Sequence, residues 1–451
     1  MKIRIFRKIR LDEVKEMKLL QKAFFICAGL AVLVPALVSA QSTAAKSGIV
    51  SVQTIAESFG DGEKVSSVVI EYPKNIDQAS LSVNGFSVEG RKIVSVMTSS
   101  KAERPSVSET GRYVILNLEY ENRWDATNGQ MPPRPQTQAD DGKGQPDFSA
   151  QPDVIIDLTA TVTQTGEVKA ADGTVYAPSA AVKSTHAEES VIRDFIKQTY
   201  SDTETGCTIP YFVYLPAGYS KSQKYPLVFF VPDASADSGI DTATLTQGNG
   251  ATIWATAEEQ KKHPAIVIAV QYPRSLVQKI GALTTDDNKW STGLTLVYNL
   301  LQHVISTYSV DQTRIYGTGQ SQGCMTNIAL SDKYPSLFAA QLLVAGQWNI
   351  EEMAAMKNKK LWIVVCAGDT KAYPGMNSAT ALWESLGTKV ARSSMWNPKA
   401  SAPEMADNVK AVRAQNCSIN YTVFEGGSHM YTWSIAYNIE GIRNWLFEQK
   451  K

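Results

Sequence analysis

The spacing of apolar residues changes character near the middle of the chain. Before about residue 183, short segments rich in β-branched residues alternate with turn signals such as Asp61-Gly62 and Asp172-Gly173, a pattern typical of an antiparallel sandwich. The predicted strands there are 65–72, 79–86, 113–118 and 154–158. After about residue 207, continuous apolar runs alternate with amphipathic segments, which indicates a mostly parallel sheet with helices on both faces.

The C-terminal pattern also predicts where a ligand would bind. Helical crossovers between parallel strands bring the strand ends to one edge of the sheet, and ligands bind outside the carboxyl ends. We further predict a short connecting helix over Glu188–Thr199 and a final helix over Ser434–Gln449. The strands expected in this part are Phe212–Leu215, Leu227–Val231, Ala265–Val270, Arg314–Gly317, Ala339–Val344, Leu361–Val365 and Tyr421–Phe424.

These patterns predict two domains, which a length of 451 residues also allows. The sandwich is expected at 47–183, with a flexible insert at 125–153 that is rich in Pro, Gln, Gly and Asp. A connecting segment at 184–206 and an α/β domain at 207–449 follow. The predicted fold class is therefore α/β, preceded by a small all-β domain.

The N-terminus predicts export. Lys18 and Lys22 precede an apolar stretch that ends at the small residues Val38-Ser39-Ala40, and these are the three parts of a cleavable secretory signal within residues 1–40. Met17 is the better initiator, because the residues before it add charges that a signal does not need.

A membrane anchor and a lipoprotein are the alternatives to cleavage. Pro35 interrupts the apolar stretch, which is short for a membrane span. Cys27 follows the large Ile26, where a lipoprotein signal has a small residue. We therefore expect a secreted or periplasmic protein, with no stable membrane span after cleavage and no lipid anchor.

Charge and cysteine spacing exclude several classes of partner. The chain has 44 basic and 44 acidic residues, so it lacks the positive charge that nucleic acids or an anionic membrane surface would attract. The cysteines Cys207, Cys324, Cys366 and Cys417 have no C-x-x-C spacing, so no metal site is expected. An exported protein could pair them as disulfides, but the apolar surroundings of Cys324 and Cys366 favour buried free thiols.

The pentapeptide Gly319-Gln320-Ser321-Gln322-Gly323 carries the strongest chemical signal. It follows the predicted strand Arg314–Gly317 and opens the predicted helix Cys324–Ser331. A strand-turn-helix around G-x-S-x-G presents a serine hydroxyl above the sheet, where it can act as a nucleophile. The alternative is an ordinary glycine-rich turn, and the strand-turn-helix context favours the nucleophile.

A serine nucleophile needs a base, and the chain offers four histidines. His429 follows the strand Tyr421–Phe424 and therefore lies at a carboxyl end. His263 starts a strand at the opposite end, His303 lies within a helix, and His186 lies in the connecting segment. Position along the sheet therefore selects His429 as the base.

The base in turn needs a carboxylate that fixes its tautomer. Asp369 follows the strand Leu361–Val365, again at a carboxyl end. Glu404, Asp407 and Glu425 are the alternatives, the first two in a predicted helix. The chain order Ser321, Asp369, His429 is that of α/β-hydrolases.

The oxyanion hole and the substrate pocket are predicted from position. One donor is the backbone N–H of Gln322, which follows the nucleophile. The other must come from the loop after Leu227–Val231, where Pro232 has no N–H, so Ala234 is preferred over Asp233. Aromatic residues near the strand ends are the pocket candidates, namely Trp290, Tyr373 and Trp433.

With these motifs in place, residues 200–449 resemble the polyhydroxybutyrate-depolymerase-like esterases of the α/β-hydrolase superfamily. The resemblance is carried by residues 224–228, 319–323, 368–376 and 427–433. The N-terminal domain is similar to the immunoglobulin-like module of some secreted esterases. This resemblance implies carboxylic ester hydrolysis through an acyl-enzyme, with no metal or organic cofactor. The chain departs from the family at Pro232-Asp233, where His-Gly is usual.

We therefore expect a secreted serine hydrolase that cleaves short-chain acyl esters or polysaccharide-linked esters, with a small-molecule or glycan-linked ester as its partner. A prolyl-oligopeptidase-like peptidase would use the same three residues, but the N-terminal half lacks propeller repeats. A non-catalytic surface-binding protein is the alternative outside enzymes. Oligomeric state and the natural ester stay open.

Overall fold

The structure is a computed structural model, and it describes residues 47–130 and 153–451. The predicted signal at 1–40 and most of the predicted insert at 125–153 lie outside the described residues. Within them, the chain forms an all-β N-terminal domain and an α/β C-terminal domain, as the fold class predicted.

The N-terminal domain is built on a long β-hairpin of strands β1 and β2, which pair antiparallel. Its main sheet has the order β10-β1-β2-β5-β4, beside smaller sheets β3-β6-β9 and β7-β8. Alternating residues such as Val68 and Leu116 are fully buried and form one core. The strands are β1 (Ser51–Phe59), β2 (Gly62–Glu71), β3 (Phe86–Val88), β4 (Ile93–Ser99), β5 (Tyr113–Leu118), β6 (Thr161–Gln164), β7 (Val168–Lys169), β8 (Val175–Tyr176), β9 (Val182–Lys183) and β10 (Ala187–Glu189).

Two strands predicted for this domain are wrong. Residues 154–158 form no ladder, and Val154 and Ile155 are 75% and 88% exposed; β-branched composition cannot make a strand without a partner. Residues 78–85 form two short 3₁₀ turns instead of a strand. Side chains of Asp77 and Ser82 accept backbone N–H groups there, and such local bonds compete with a ladder.

The C-terminal domain contains a nine-stranded sheet of order β11-β12-β14-β13-β15-β16-β17-β19-β18. All strands from β14 to β18 in this order are parallel, whereas β11 and β12 pair antiparallel at one edge. The strands are β11 (Ile196–Asp202), β12 (Cys207–Tyr214), β13 (Tyr225–Val231), β14 (Ile266–Val270), β15 (Val310–Gln320), β16 (Ala340–Val344), β17 (Leu361–Cys366), β18 (Val390–Arg392) and β19 (Ile419–Phe424).

The central strands are buried on both faces because helices cover the sheet. Every residue of β13 and of β17 is buried. The helices in the described part of the chain are α1 (Ala243–Thr246), α2 (Ala257–Lys262), α3 (Arg274–Ile280), α4 (Thr292–Thr307), α5 (Gln322–Lys333), α6 (Ile350–Met353), α7 (Ala372–Ser385), α8 (Ala402–Arg413), α9 (His429–Ala436) and α10 (Glu440–Phe447).

Two predicted helices differ from the structure. The predicted connecting helix over Glu188–Thr199 is wrong, since these residues lie in β10, a 3₁₀ turn and β11. Pairing with β1 and β12 overrides their helical pattern. The predicted final helix is two helices, because α9 ends at Ala436 and α10 begins at Glu440.

The structure shows the state of the cysteines and the character of the helices. Cys207, Cys324, Cys366 and Cys417 are free, and all but Cys417 are buried, which confirms buried thiols at three positions. Within 47–130 and 153–451, none of the helices has the length and apolarity that a membrane span requires.

Candidate active site

Ser321 lies on a strained turn between β15 and α5. Its φ is 51° and its ψ is −119°, a backbone conformation that residues with a side chain rarely adopt. A backbone hydrogen bond fixes the turn to the neighbouring strand β16, because the Ser321 N–H donates to the Val344 carbonyl at 3.0 Å. Strain at an otherwise ordinary serine is typical of a functional position.

The two glycines of the pentapeptide permit a close backbone approach. A Cβ added to Gly319 would lie 2.4 Å from the Val231 carbonyl oxygen, and one added to Gly323 would lie 1.8 Å from it. Any larger residue would therefore push the turn away from the end of β13. The glycines bring Ser321 and the loop after β13 together over one edge of the sheet.

His429 joins Ser321 to Asp369. Its Nε2 lies 2.8 Å from Oγ of Ser321, and its Nδ1 lies 2.5 Å from Oδ2 of Asp369. An ionised carboxylate can only accept, so Nδ1 carries the proton and Nε2 is left to accept from the serine hydroxyl. This is the tautomer that a general base requires.

Asp369 is buried, and both of its carboxylate oxygens accept hydrogen bonds. Its other oxygen, Oδ1, accepts the backbone N–H groups of Lys371 and Ala372, each at 3.0 Å. Burial alone would raise the pKa of Asp369, but the hydrogen bond and charge of His429 and these two N–H groups outweigh it, so the pKa of Asp369 is lowered. The carboxylate therefore stays charged beside the imidazole.

The alternative acids lie outside this arrangement. Glu404 and Asp407 are exposed on α8, and Glu425 is exposed at the end of β19.

The alternative histidines are likewise engaged elsewhere. His263 stacks on Phe447, and its Nε2 lies 2.9 Å from the Asn444 side chain. His303 stacks on Tyr200 in the same manner, and His186 lies on the surface near Glu188.

A cavity of about 320 Å³ opens beside the serine. It is lined by Met325, Trp433 and polar side chains that include Gln347. Trp433 also packs edge-on against the His429 ring, at 5.1 Å between centroids.

The other two aromatic residues predicted for the pocket are not among the residues that line this cavity. Trp290 instead bonds to Thr295 and packs against Tyr334 and Lys333. Tyr373 is packed against the core.

The two predicted oxyanion donors line the same cavity. Gln322 is the first residue of α5, and Ala234 is the first residue of a 3₁₀ turn, Ala234–Ala236. The first N–H groups of a helix have no acceptor within it, so both can point at an anion.

The N-terminal domain reaches this site, which sequence reasoning missed. Tyr431, in the first turn of α9 after His429, donates its hydroxyl proton to Oδ1 of Asp125 at 2.5 Å. Asn122 donates to the Ser434 hydroxyl on the same helix at 2.8 Å, and Gln130 lines the cavity. The composition of 125–153 predicts a flexible insert, and only the three-dimensional contacts show that Asp125 and Gln130 lie beside the cavity and α9.

The glycines at this boundary carry a weak sequence signal. A Cβ on Gly60 would lie 2.2 Å from the Ser434 carbonyl oxygen, and one on Gly129 would lie 2.2 Å from the Tyr431 ring. Such positions tolerate only glycine while the two domains stay in contact. In a single sequence, a glycine required by a domain contact looks the same as a glycine in an ordinary turn. The sequence alone therefore does not identify Gly60 and Gly129 as contact positions.

Metal-ligating side chains do not gather in the described residues, since His, Cys, Asp and Glu form no group of three or more there.

Comparison with known proteins divides the chain in the same way. Residues 51–177 match the family described as "Esterase Ig-like N-terminal domain". Residues 202–425 match the family described as "Putative esterase".

Individual proteins are similar over very different shares of the chain. The crystal structure of a thermostable esterase is 24% identical, with a TM-score of 0.66 over 89% of this chain and 100% of that chain, which shows a common fold. Feruloyl esterase B of Talaromyces funiculosus is 39% identical over 59 residues, which are 13% of this chain and 16% of that enzyme. A feruloyl esterase module of Clostridium thermocellum complexed with sinapinate is 15% identical, with a TM-score of 0.38 over 56% of this chain and 87% of that chain.

Proposed function

Residues 202–425 belong to the esterase family behind an esterase Ig-like domain at 51–177, so the chain is a carboxylic ester hydrolase, and we propose that it forms an acyl-enzyme on Ser321. The observation that carries this proposal is the pair of hydrogen-bond distances, 2.8 Å and 2.5 Å, that link Ser321, His429 and Asp369. Membership in an esterase family contradicts the alternative of a non-catalytic binding protein.

The first half of the reaction transfers the acyl group to the serine. Nε2 of His429 takes the hydroxyl proton while Oγ of Ser321 bonds to the ester carbonyl carbon. The carbonyl electron pair moves onto oxygen, which the N–H groups of Gln322 and Ala234 stabilise. When the intermediate collapses, the alkoxide leaves and takes the proton from His429.

The second half releases the acid. Water attacks the acyl carbon as His429 accepts its proton, and the same N–H groups bind the second oxyanion. Collapse breaks the bond to Oγ, and His429 returns the proton to Ser321. Asp369 stays ionised throughout and stabilises the imidazolium in both halves, which agrees with its lowered pKa.

We propose short-chain acyl esters or polysaccharide-linked esters as the substrate class. A cavity of about 320 Å³ has room for a small acyl group. Met325 and Trp433 offer apolar contact, while Gln347 and Gln130 offer hydrogen bonds. The short match to feruloyl esterase B adds aromatic acyl groups, and the resemblance to depolymerases adds polyester oligomers, to the substrates worth testing.

An ester screen with a nucleophile variant tests the proposal. We expect the purified protein to hydrolyse short p-nitrophenyl esters, and Ser321→Ala to lose at least about 10³-fold in kcat. Ser378→Ala, an exposed serine on α7, is the matched control and should keep wild-type activity. Full activity of Ser321→Ala would reject the assignment. A parallel panel of acetylated and feruloylated glycans, polyester oligomers and peptides then separates the substrate classes.

Export is the second part of the proposal, and it rests on residues 1–40 alone. The small residues at 38–40 support cleavage after Ala40. N-terminal sequencing of the protein recovered from a periplasmic or culture fraction should begin at Gln41. Recovery only in the cytoplasm with the full N-terminus would contradict export.

A further inference from the structure

The loop after β13 supplies Ala234, and two pairs of side chains connect this loop to the nucleophile turn. Gln320, immediately before Ser321, donates from Nε2 to Oδ2 of Asp233 at 3.1 Å. Gln322, immediately after Ser321, donates from Nε2 to Oδ1 of Asp237 at 3.1 Å. We call these the two amide–carboxylate pairs. One pair lies on each side of the nucleophile in sequence, and one on each side of Ala234.

All four side chains of the two pairs are buried. Gln320 and Gln322 are 0% and 2% exposed, and Asp233 and Asp237 are 5% and 4% exposed. A buried carboxylate is costly unless hydrogen bonds compensate it. Two such carboxylates within five residues of one loop are therefore expected only where their geometry has a use.

Asp233 also shapes the loop itself. Its second oxygen, Oδ1, accepts the backbone N–H of Ser235 at 2.8 Å and caps the 3₁₀ turn Ala234–Ala236. One carboxylate thus fixes both the turn that begins at Ala234 and the distance from that turn to Gln320. Both bonds are made by the residue whose peptide carries the Ala234 N–H.

A backbone contact beneath the two pairs sets how closely the loop after β13 approaches the nucleophile turn. A Cβ on Gly323 would lie 1.8 Å from the Val231 oxygen and 2.9 Å from the Pro232 oxygen. Backbone packing thus sets how close the loop and the turn approach. The two amide–carboxylate pairs add side-chain restraints, because each joins a different end of the loop to a different side of the turn.

We propose that Asp233 and Asp237 are positioning residues that hold the Ala234 N–H in the oxyanion hole through Gln320 and Gln322. The inference rests on the proposed function, because it assumes that Ala234 and Gln322 bind an oxyanion.

Paired substitutions separate positioning from charge. Asp233→Ala removes the acceptor. Asp233→Asn removes the charge but can keep the pair, because its oxygen accepts the Ser235 N–H and its amide donates to Oε1 of Gln320 once the Gln320 amide turns over. Asp241→Asn is the control, since Asp241 is 80% exposed and pairs with Lys197 on the surface. Kinetics with a p-nitrophenyl ester are measured beside the inhibition constant of a trifluoromethyl ketone, which forms an oxyanion on the serine.

We expect Asp233→Ala to lower kcat about 10- to 100-fold with little change in KM, because a displaced donor costs less than the 10²–10³ of a missing one. Affinity for the ketone should fall by a similar factor, and Asp233→Asn should restore most of both. If Asp233→Ala does not fold, Gln320→Met tests the same pair from the other side, with the same expected loss.

Three results would overturn the inference. The first is a wild-type kcat in Asp233→Ala or Gln320→Met. The second is a variant that loses stability and activity to the same extent while its affinity for the ketone is unchanged. The third is an Asp233→Asn variant that is as impaired as Asp233→Ala. Activity that survives in Ser321→Ala would instead reject the proposed function. The two failures are therefore distinguishable in one set of variants.

Discussion

The contact between Tyr431 and Asp125 is where the N-terminal domain touches the helix of the proposed base. The Tyr431 side chain is 1% exposed, and its hydroxyl lies 2.5 Å from the Asp125 carboxylate. Tyr431→Phe removes the hydroxyl and keeps the ring that packs over Gly129. The substitution therefore tests the interdomain hydrogen bond with little change in packing.

The free energy of unfolding lost in Tyr431→Phe follows from the charge and exposure of the two partners. A hydrogen bond to a charged group contributes about 1.5–3 kcal/mol to stability. Asp125 is half-buried, so water can replace part of the lost bond, and we expect a loss of about 1.5 kcal/mol. At 1.36 kcal/mol per tenfold in rate, the contact can account for at most about a tenfold fall in kcat. We expect a fall of about 2- to 10-fold, because His429 begins the same helix.

A double-mutant cycle measures the contact directly. Urea unfolding and ester hydrolysis are compared for wild type, Tyr431→Phe, Asp125→Ala and the double variant. The matched control is Tyr200→Phe, which also removes a tyrosine hydroxyl that donates to an aspartate, Asp202, at 3.1 Å, but in the edge strand β11 and not in α9. The control should keep kcat unchanged.

The coupling free energy should be about 1 kcal/mol or more, and kcat should fall in each variant of the interdomain pair. A coupling near zero would mean that the hydrogen bond does not stabilise the domain contact. A clear coupling with unchanged kcat would mean that the N-terminal domain stabilises α9 without positioning His429. Either result would refute the link between this contact and catalysis.

Three further substitutions each test a single position. Gly323→Ala should abolish ester hydrolysis, since its Cβ would lie 1.8 Å from the Val231 carbonyl oxygen. Gly85→Ala is the control and should be neutral, because no atom lies within 4 Å of the added Cβ; equal activities of the two variants would contradict the packing argument. Asp369→Asn should lower kcat about 10³- to 10⁴-fold, because its amide favours the wrong tautomer of His429; a wild-type pH–rate profile would argue against this role. Burial, and secondly Glu189, raise the pKa of Glu63 to about 7, so its contribution to stability is full below the unfolded pKa of 4.5 and is lost as pH rises through about 7. Glu63→Gln should therefore unfold like wild type near pH 4.5 and be more stable at pH 8 by on the order of 1 kcal/mol, and thermal melts at both values check the sign.

The position of the site could be predicted because its signals are local. Ser321, Asp369 and His429 each follow a continuous apolar strand, and the rule that strand ends share one edge of the sheet brings them together. Their hydrogen bonds have the order that the sequence predicted. The same logic predicts Gln322 and Ala234 from their distance in sequence to a strand end, and both line the cavity beside Ser321.

The parts that could not be predicted depend on distant partners. Glu188–Thr199 has a helical pattern but pairs with strands of both domains, and residues 154–158 have β-branched composition but no strand beside them. The position of Trp290 near a strand end predicts a pocket residue, yet its ring packs against Tyr334. In each case the tertiary neighbours decided the outcome, and a single sequence does not reveal them.

Contacts from the N-terminal domain therefore meet the helix that His429 begins. His429 is placed by its own strand end, but the helix it begins is bonded to the N-terminal domain through Tyr431 and Ser434. The Gly60 turn packs against the carbonyl of Ser434 as well, so the helix is restrained from two loops of the same domain. Because a misplacement of about 1 Å can cost 10²-fold in rate, contacts this close to the base are expected to affect catalysis and stability together. An N-terminal domain that only shielded the enzyme would not need the Tyr431–Asp125 hydrogen bond, which lies within one turn of the proposed base.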